Sequence, residues 1–116
     1  DAVFNIAHSC LLLEAINKRE YHLLRIGMQD RIHQAPRARL VPGLQEALDA
    51  GLKAGAYGSS LSGSGPTVLA LTPEKHEKAV AAALTEVFHR HQIEVQCYIL
   101  DIDSRGAYIE DDSKPV

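Results

Sequence analysis

Two stretches of the sequence combine residue types that can do chemistry. Gly55–Leu71 reads G-A-Y-G-S-S-L-S-G-S-G-P-T-V-L-A-L, with four glycines, four serines and a proline in its first twelve positions. Glycine is favoured wherever a backbone must take positive φ or approach a ligand closely. Free N–H groups along such a turn form a concavity that suits an anion. Pro36–Pro42 is a short proline-bounded connection carrying two arginines, Arg37 and Arg39. A guanidinium offers a planar fork of donors that matches a carboxylate or phosphate.

The Gly/Ser stretch is not a phosphate-cradling Walker loop, because no Lys-Ser/Thr pair follows its last glycine and no helix opens there. It also lacks the helix that a G-x-G-x-x-G dinucleotide fingerprint requires. By residue types alone, a tight turn between two strands of any α/β protein fits equally well. The remaining reactive side chains organise nothing further. His89 and His91 are two apart and point to different faces of a helix, so they cannot share a metal. Cys10 and Cys97 lie outside any C-x-x-C spacing and are expected to be buried free thiols of a reducing compartment.

The elements that position these residues follow from apolar spacing. Asp1–Lys18 has a wide apolar face and is expected to be a helix largely buried between neighbours. Glu20–Gln34 repeats the period through Leu23/Leu24, Met28 and Ile32, and should end near Gln34 because Pro36 restricts Ala35. Pro42–Ala54 is a third helix, with Gly55 placed to terminate it. The Gly/Ser stretch should then run strand, loop, strand, the second strand being the apolar run Thr67–Leu71. Thr72-Pro73-Glu74 reads as the start of a fourth helix over Lys75–Gln92, with Thr72 as its cap. Ile93–Ile102 alternates like a strand, and Ser104–Ile109 is expected to add a short terminal one.

This order predicts an α+β protein, a ferredoxin-like sandwich with about four helices packed on a small, mainly antiparallel sheet. With 116 residues, 46% hydrophobic and 23% charged, the chain suits one globular domain. That domain is expected over 1–110, with 111–116 as a polar tail. A net charge of −3 argues against nucleic acid or an anionic membrane as partner, and no apolar run approaches the ~20 residues of a membrane span. The sequence opens on Asp1 and its only methionine is Met28, so it reads as a piece of a longer polypeptide in which the sheet is short of strands.

Leu61-Ser62-Gly63-Ser64-Gly65-Pro66-Thr67, preceded by Gly55-Ala56-Tyr57-Gly58, closely resembles the third sequence motif of the GHMP kinases, which include galacto-, homoserine, mevalonate and phosphomevalonate kinases. Two further blocks, Asp1-Ala2-Val3-Phe4-Asn5-Ile6 and Asp30-Arg31-Ile32-His33-Gln34 with Arg37 and Leu40-Val41-Pro42-Gly43, extend the resemblance to the whole chain. The three in this order are similar to the C-terminal domain of bacterial homoserine kinases. That resemblance implies ATP-dependent phosphorylation of the L-homoserine hydroxyl to O-phospho-L-homoserine, a cytoplasmic step of threonine biosynthesis. It implies ATP and Mg2+ bound mainly by an N-terminal GHMP domain absent from this chain, and it leaves room for a homodimer.

By the same resemblance, Arg37 matches the position that contacts the homoserine carboxylate, and Ser62, Gly63, Ser64 and Gly65 match the loop that supports the phosphate loop of the other domain. No residue of the chain is assigned a catalytic role, and none a metal. Arg37 as a solvated surface residue remains the bland alternative, and Arg39 is expected to be solvated. Two other functions stay open: another GHMP kinase acting on a mevalonate-pathway or sugar substrate, and a non-catalytic ferredoxin-like ligand-binding module.

Overall fold

The structure is a computed structural model that describes residues 1–109. The polar tail expected at 111–116 lies outside the described residues. Among the described residues, five α-helices and two strands run in the order α1 (Ala2–Asn17), α2 (Leu24–Gly27), α3 (Gln34–Ala38), α4 (Leu44–Lys53), β1 (Gly58–Leu61), β2 (Val68–Leu71) and α5 (Glu77–Arg90). Short 3-10 turns at Tyr21–Leu23 and Glu74–His76 lead into α2 and α5. The class is the expected α+β, with helices gathered against an antiparallel hairpin.

α4 is the central element. Its spacing buries Leu44, Ala47, Leu48 and Gly51 on one face, while Gln45, Glu46 and Asp49 stay outside. Ala47 meets Val87 and Phe88 of α5, and Val41, Ala50, Val68, Leu84, Ile93 and Val95 close around them. The helix stops as the sequence foresees. Gly55 takes φ +111°, and Ala56 and Gly55 donate to the Gly51 and Leu52 carbonyls at 3.0 and 3.1 Å, a Schellman ending. At the opposite end Glu46 is paired with Arg90 and His91, at 2.7 and 2.9 Å, tying the start of α4 to the end of α5. The hydrogen bond from His91, helped by the Arg90 charge, holds the Glu46 carboxyl below its usual value despite some desolvation.

β1 and β2 pair antiparallel with Gly58 opposite Leu71 and Leu61 opposite Val68. β1 lies against α4, where the buried Ser59 hydroxyl donates to the Leu48 carbonyl at 2.9 Å. A buried hydroxyl without such a partner is costly, so this bond pins the hairpin to α4. On its other side β1 meets α2, which packs against α1. There Gly27 approaches so closely that a Cβ would lie 2.8 Å from the Leu12 Cα.

Several expectations are corrected. The helix expected over Glu20–Gln34 is broken after Gly27, and a new helix begins where it should have ended. The cause is Asp30, whose carboxylate accepts from the backbone N–H groups of Ile32, His33 and Gln34 and so replaces helical bonds. Pro36 sits inside the first turn of α3, where its missing N–H costs nothing. The proline-bounded connection is therefore partly helical. Thr72 does not cap a helix: its Oγ1 donates to the Pro73 carbonyl at 3.3 Å, and a 3-10 turn precedes α5.

No strand forms over Ile93–Ile102 or Ser104–Ile109 among the described residues. Ile93 and Val95 do turn to the core as alternation requires, but no neighbouring strand supplies the ladder that would continue the element. Instead Arg105 bonds Asp103 and the Tyr108 hydroxyl, at 2.8 and 3.1 Å, within a turn. Cys10 and Cys97 are exposed, not buried. α1 is also less covered than expected: only Ala15 is buried, while Val3, Ile6, Leu13 and Ile16 face outward.

Candidate substrate-clamp and loop site

The Gly/Ser stretch forms the turn of the β1–β2 hairpin. Ser62 N donates to the Thr67 carbonyl at 2.8 Å and Gly65 N to the Ser62 carbonyl at 3.0 Å, folding the four residues Ser62–Gly65 into a tight lobe. Gly63 and Gly65 take φ of +57° and +80°, the left-handed region that a side chain disfavours. At Gly65 a Cβ would also lie 2.8 Å from the Leu61 Cδ1, whereas at Gly63 the space is open. Ser62, Gly63 and Ser64 are exposed. Among the described residues the Ser64 hydroxyl reaches only the neighbouring Gly65 carbonyl, at 3.5 Å.

Arg37 comes to this lobe from α3. Its Nη1 donates to the Ser64 carbonyl at 2.7 Å across 27 residues of sequence, and the side chain is half-buried. The Nε and Nη2 hydrogens have no hydrogen-bond partner among the described residues. The outer edge of the guanidinium is thus a pair of parallel donors beside an exposed loop, the geometry a carboxylate accepts with both oxygens. Arg39 is exposed and makes no such contact among the described residues. The tertiary structure therefore unites Arg37 with Ser62, Gly63, Ser64 and Gly65 and leaves Arg39 aside.

Three residues to which the sequence reading gave no role organise this junction. Gln34, at the start of α3, accepts through Oε1 the backbone N–H of Leu61, the last residue before the loop, at 3.0 Å. Asp30 presents α3 through its bonds to the His33 and Gln34 N–H groups at 3.0 and 3.3 Å and to that of Ile32. Asn5 of α1 closes the assembly, donating to the Asp30 carboxylate and accepting from Arg31 N, both at 3.0 Å. Desolvation raises the Asp30 carboxyl, but the bonds from Asn5, His33, Ile32 and Gln34 outweigh it and hold the group below its usual value. The local signal was an Asp a few residues before a proline in a first helical turn, a pattern that marks a side chain bonding forward to backbone. Beside them Arg31 lies over the Phe4 ring at 3.8 Å, and His8 stacks on the same ring at 3.6 Å.

No three His, Cys, Asp or Glu side chains gather to hold a metal ion among the described residues. No helix of the described residues is long and apolar enough to cross a membrane.

Residues 12–90 match the family model for the C-terminal domain of GHMP kinases. Homoserine kinase of Desulfitobacterium hafniense is 48% identical over 109 residues, covering 94% of this chain and 37% of that protein. Homoserine kinase of Persephonella marina is 42% identical over 110 residues, covering 95% of the chain and 36% of the relative. The chain thus spans a little over a third of the length of the curated relatives it matches. The crystal structure of homoserine kinase from Cytophaga hutchinsonii superimposes with a TM-score of 0.74 at 31% identity, over 80% of this chain and 30% of that one.

Proposed function

Because this chain belongs to the GHMP kinases, as the C-terminal domain of one, we propose that it holds the acceptor substrate of a cytoplasmic ATP-dependent homoserine kinase. The observation that carries the reading is the junction of Arg37 with the Ser64 carbonyl, which sets one half-buried cation at the edge of the family's loop. The relatives named homoserine kinase support the choice of an amino acid as acceptor.

In this reading the Nε–Nη2 edge of Arg37 clamps the homoserine carboxylate, two charge-assisted bonds that fix orientation as well as position. The clamp leaves the side-chain hydroxyl to point toward the loop, where the γ-phosphoryl group arrives. The bond from the γ-phosphorus to the β,γ-bridging oxygen breaks, the hydroxyl oxygen forms the new P–O bond, and the hydroxyl proton is released. The products are ADP and O-phospho-L-homoserine. Such a transfer depends chiefly on positioning and charge stabilisation, which is the role this domain fills for the acceptor. Ser62, Gly63, Ser64 and Gly65 support the phosphate loop of the partner domain and keep space for the moving group. ATP and Mg2+ are held mainly by that N-terminal domain.

The test is coupled ADP release by the full-length polypeptide that carries this chain, supplied with ATP and Mg2+ and a panel of homoserine, mevalonate and galactose. Turnover that depends on homoserine supports the reading. Preference for mevalonate or galactose moves the chain to another GHMP specificity.

A further inference from the structure

We infer that Gln34 is a positioning residue that sets the Ser62–Gly65 loop in register with Arg37, so that its effect on substrate is exerted through Arg37 and the loop. The inference rests on the reading of Arg37 as the carboxylate clamp. Gln34 and Arg37 are both residues of α3, a helix of five residues. Gln34 Oε1 takes the Leu61 N–H at the base of the loop, at 3.0 Å, and Arg37 Nη1 donates to the Ser64 carbonyl at its tip, at 2.7 Å.

Two attachment points on one rigid turn fix both the position and the tilt of the lobe, whereas one would leave it free to pivot. The pairing is also economical of donors. Leu61 is the last residue of β1, and its N–H is taken by a side chain of α3 at the point where the hairpin gives way to the loop. Gln34 is half-buried, which raises the cost of leaving that N–H unpaired. The bond that Arg37 donates to the Ser64 carbonyl leaves its Nε–Nη2 edge outward only while the loop keeps this register. A pivot of the lobe would turn the guanidinium with it and misalign a bidentate clamp that depends on planarity.

The experiment uses the full-length kinase with Gln34→Met, which keeps the length and removes the acceptor, and Gln34→Glu, which keeps an Oε acceptor. Steady-state kinetics and peptide-resolved hydrogen exchange over 58–67 are read together. In Gln34→Met the KM for homoserine is expected to rise about three- to tenfold, the size of one hydrogen bond, with KM for ATP within about twofold. Exchange at 58–67 should quicken while α4 and α5 stay protected, and Gln34→Glu should restore both readouts toward wild type. Unchanged exchange in Gln34→Met removes the tether. Quicker exchange with wild-type homoserine KM, or equal damage to both KM values with protection lost throughout, overturns the positioning role. Wild-type enzyme that ignores homoserine defeats the clamp reading and the positioning role with it, whereas the exchange result alone still reports whether the tether exists.

Discussion

The Arg37 guanidinium and the Ser64 carbonyl oxygen are 2.7 Å apart, although 27 residues of sequence separate them. One helix turn and one hairpin turn thereby share a single polar junction. Its outer face is a pair of donors with no partner among the described residues, beside two positive-φ glycines. Replacing Arg37 by alanine in the full-length kinase should raise KM for homoserine about ten- to a hundredfold, since a charge-assisted contact is worth about 1.5–3 kcal/mol. KM for ATP should stay nearly unchanged, and Arg37→Lys should recover only part of the loss because an ammonium has no planar fork. A wild-type homoserine KM in Arg37→Ala would return this residue to the solvated surface.

The two loop glycines should differ under substitution. Gly63→Ala meets open space and carries only the left-handed backbone penalty, about 1 kcal/mol. Gly65→Ala adds a 2.8 Å approach to the Leu61 side chain and is expected to cost about 1 kcal/mol more. Urea unfolding of the two variants under one set of conditions checks the order, and equal midpoints would show that Leu61 yields freely.

At Gly27 two effects oppose each other. Alanine favours a helix by about 1 kcal/mol over glycine. Its Cβ would meet the Leu12 Cα, N and Cβ at 2.8–2.9 Å, and two of those atoms are backbone that cannot swing away. Overpacking of this kind costs about 1–3 kcal/mol, so Gly27→Ala should destabilise on balance. A raised urea midpoint would mean that α1 and α2 separate at little cost.

Asp30 supplies a pH dependence with a definite sign. Its folded carboxyl is held below the ordinary value near 3.8, so the ionised form favours the folded state. The contribution is complete above about pH 5, where the unfolded carboxyl is ionised as well. It is lost as pH falls through 3.8 and then through the lower folded value. Asp30→Asn should lower urea stability most above about pH 5, where the ionised carboxylate contributes, and flatten the profile below that pH. An unchanged acid limb in the variant would assign the loss to other carboxylates.

The 116-residue chain tested by itself should release no ADP above background with ATP, Mg2+ and homoserine. Transfer requires both reactants to be positioned, and losing that forfeits several kcal/mol, on the order of the effect of proximity itself. In the proposed reading, the described residues supply an acceptor clamp and a supporting loop. Turnover by the isolated chain that Arg37→Ala abolishes would place the nucleotide site here after all.

Much of this protein is legible locally. The alternating faces of α4 and α5, the Gly55 ending and the strand–loop–strand order of Gly58–Leu71 depend on near neighbours, and each was readable from its own residues. The turn at Ser62–Gly65 was readable in the same way, whereas the roles given to it and to Arg37 rest on the family resemblance. What the sequence could not show is where long-range bonds override a local pattern. Glu20–Gln34 carries a helical period, yet Asp30 withdraws three backbone donors from it and its own position is held by Asn5, 25 residues away. Ile93–Ile102 alternates like a strand, yet a strand exists only with a partner to complete its ladder, and periodicity says nothing about whether one is present. The junction of Arg37, Gln34 and the loop is of the same kind. Each side chain announces a donor or an acceptor, but the fold alone decides which backbone group lies within 3 Å of it.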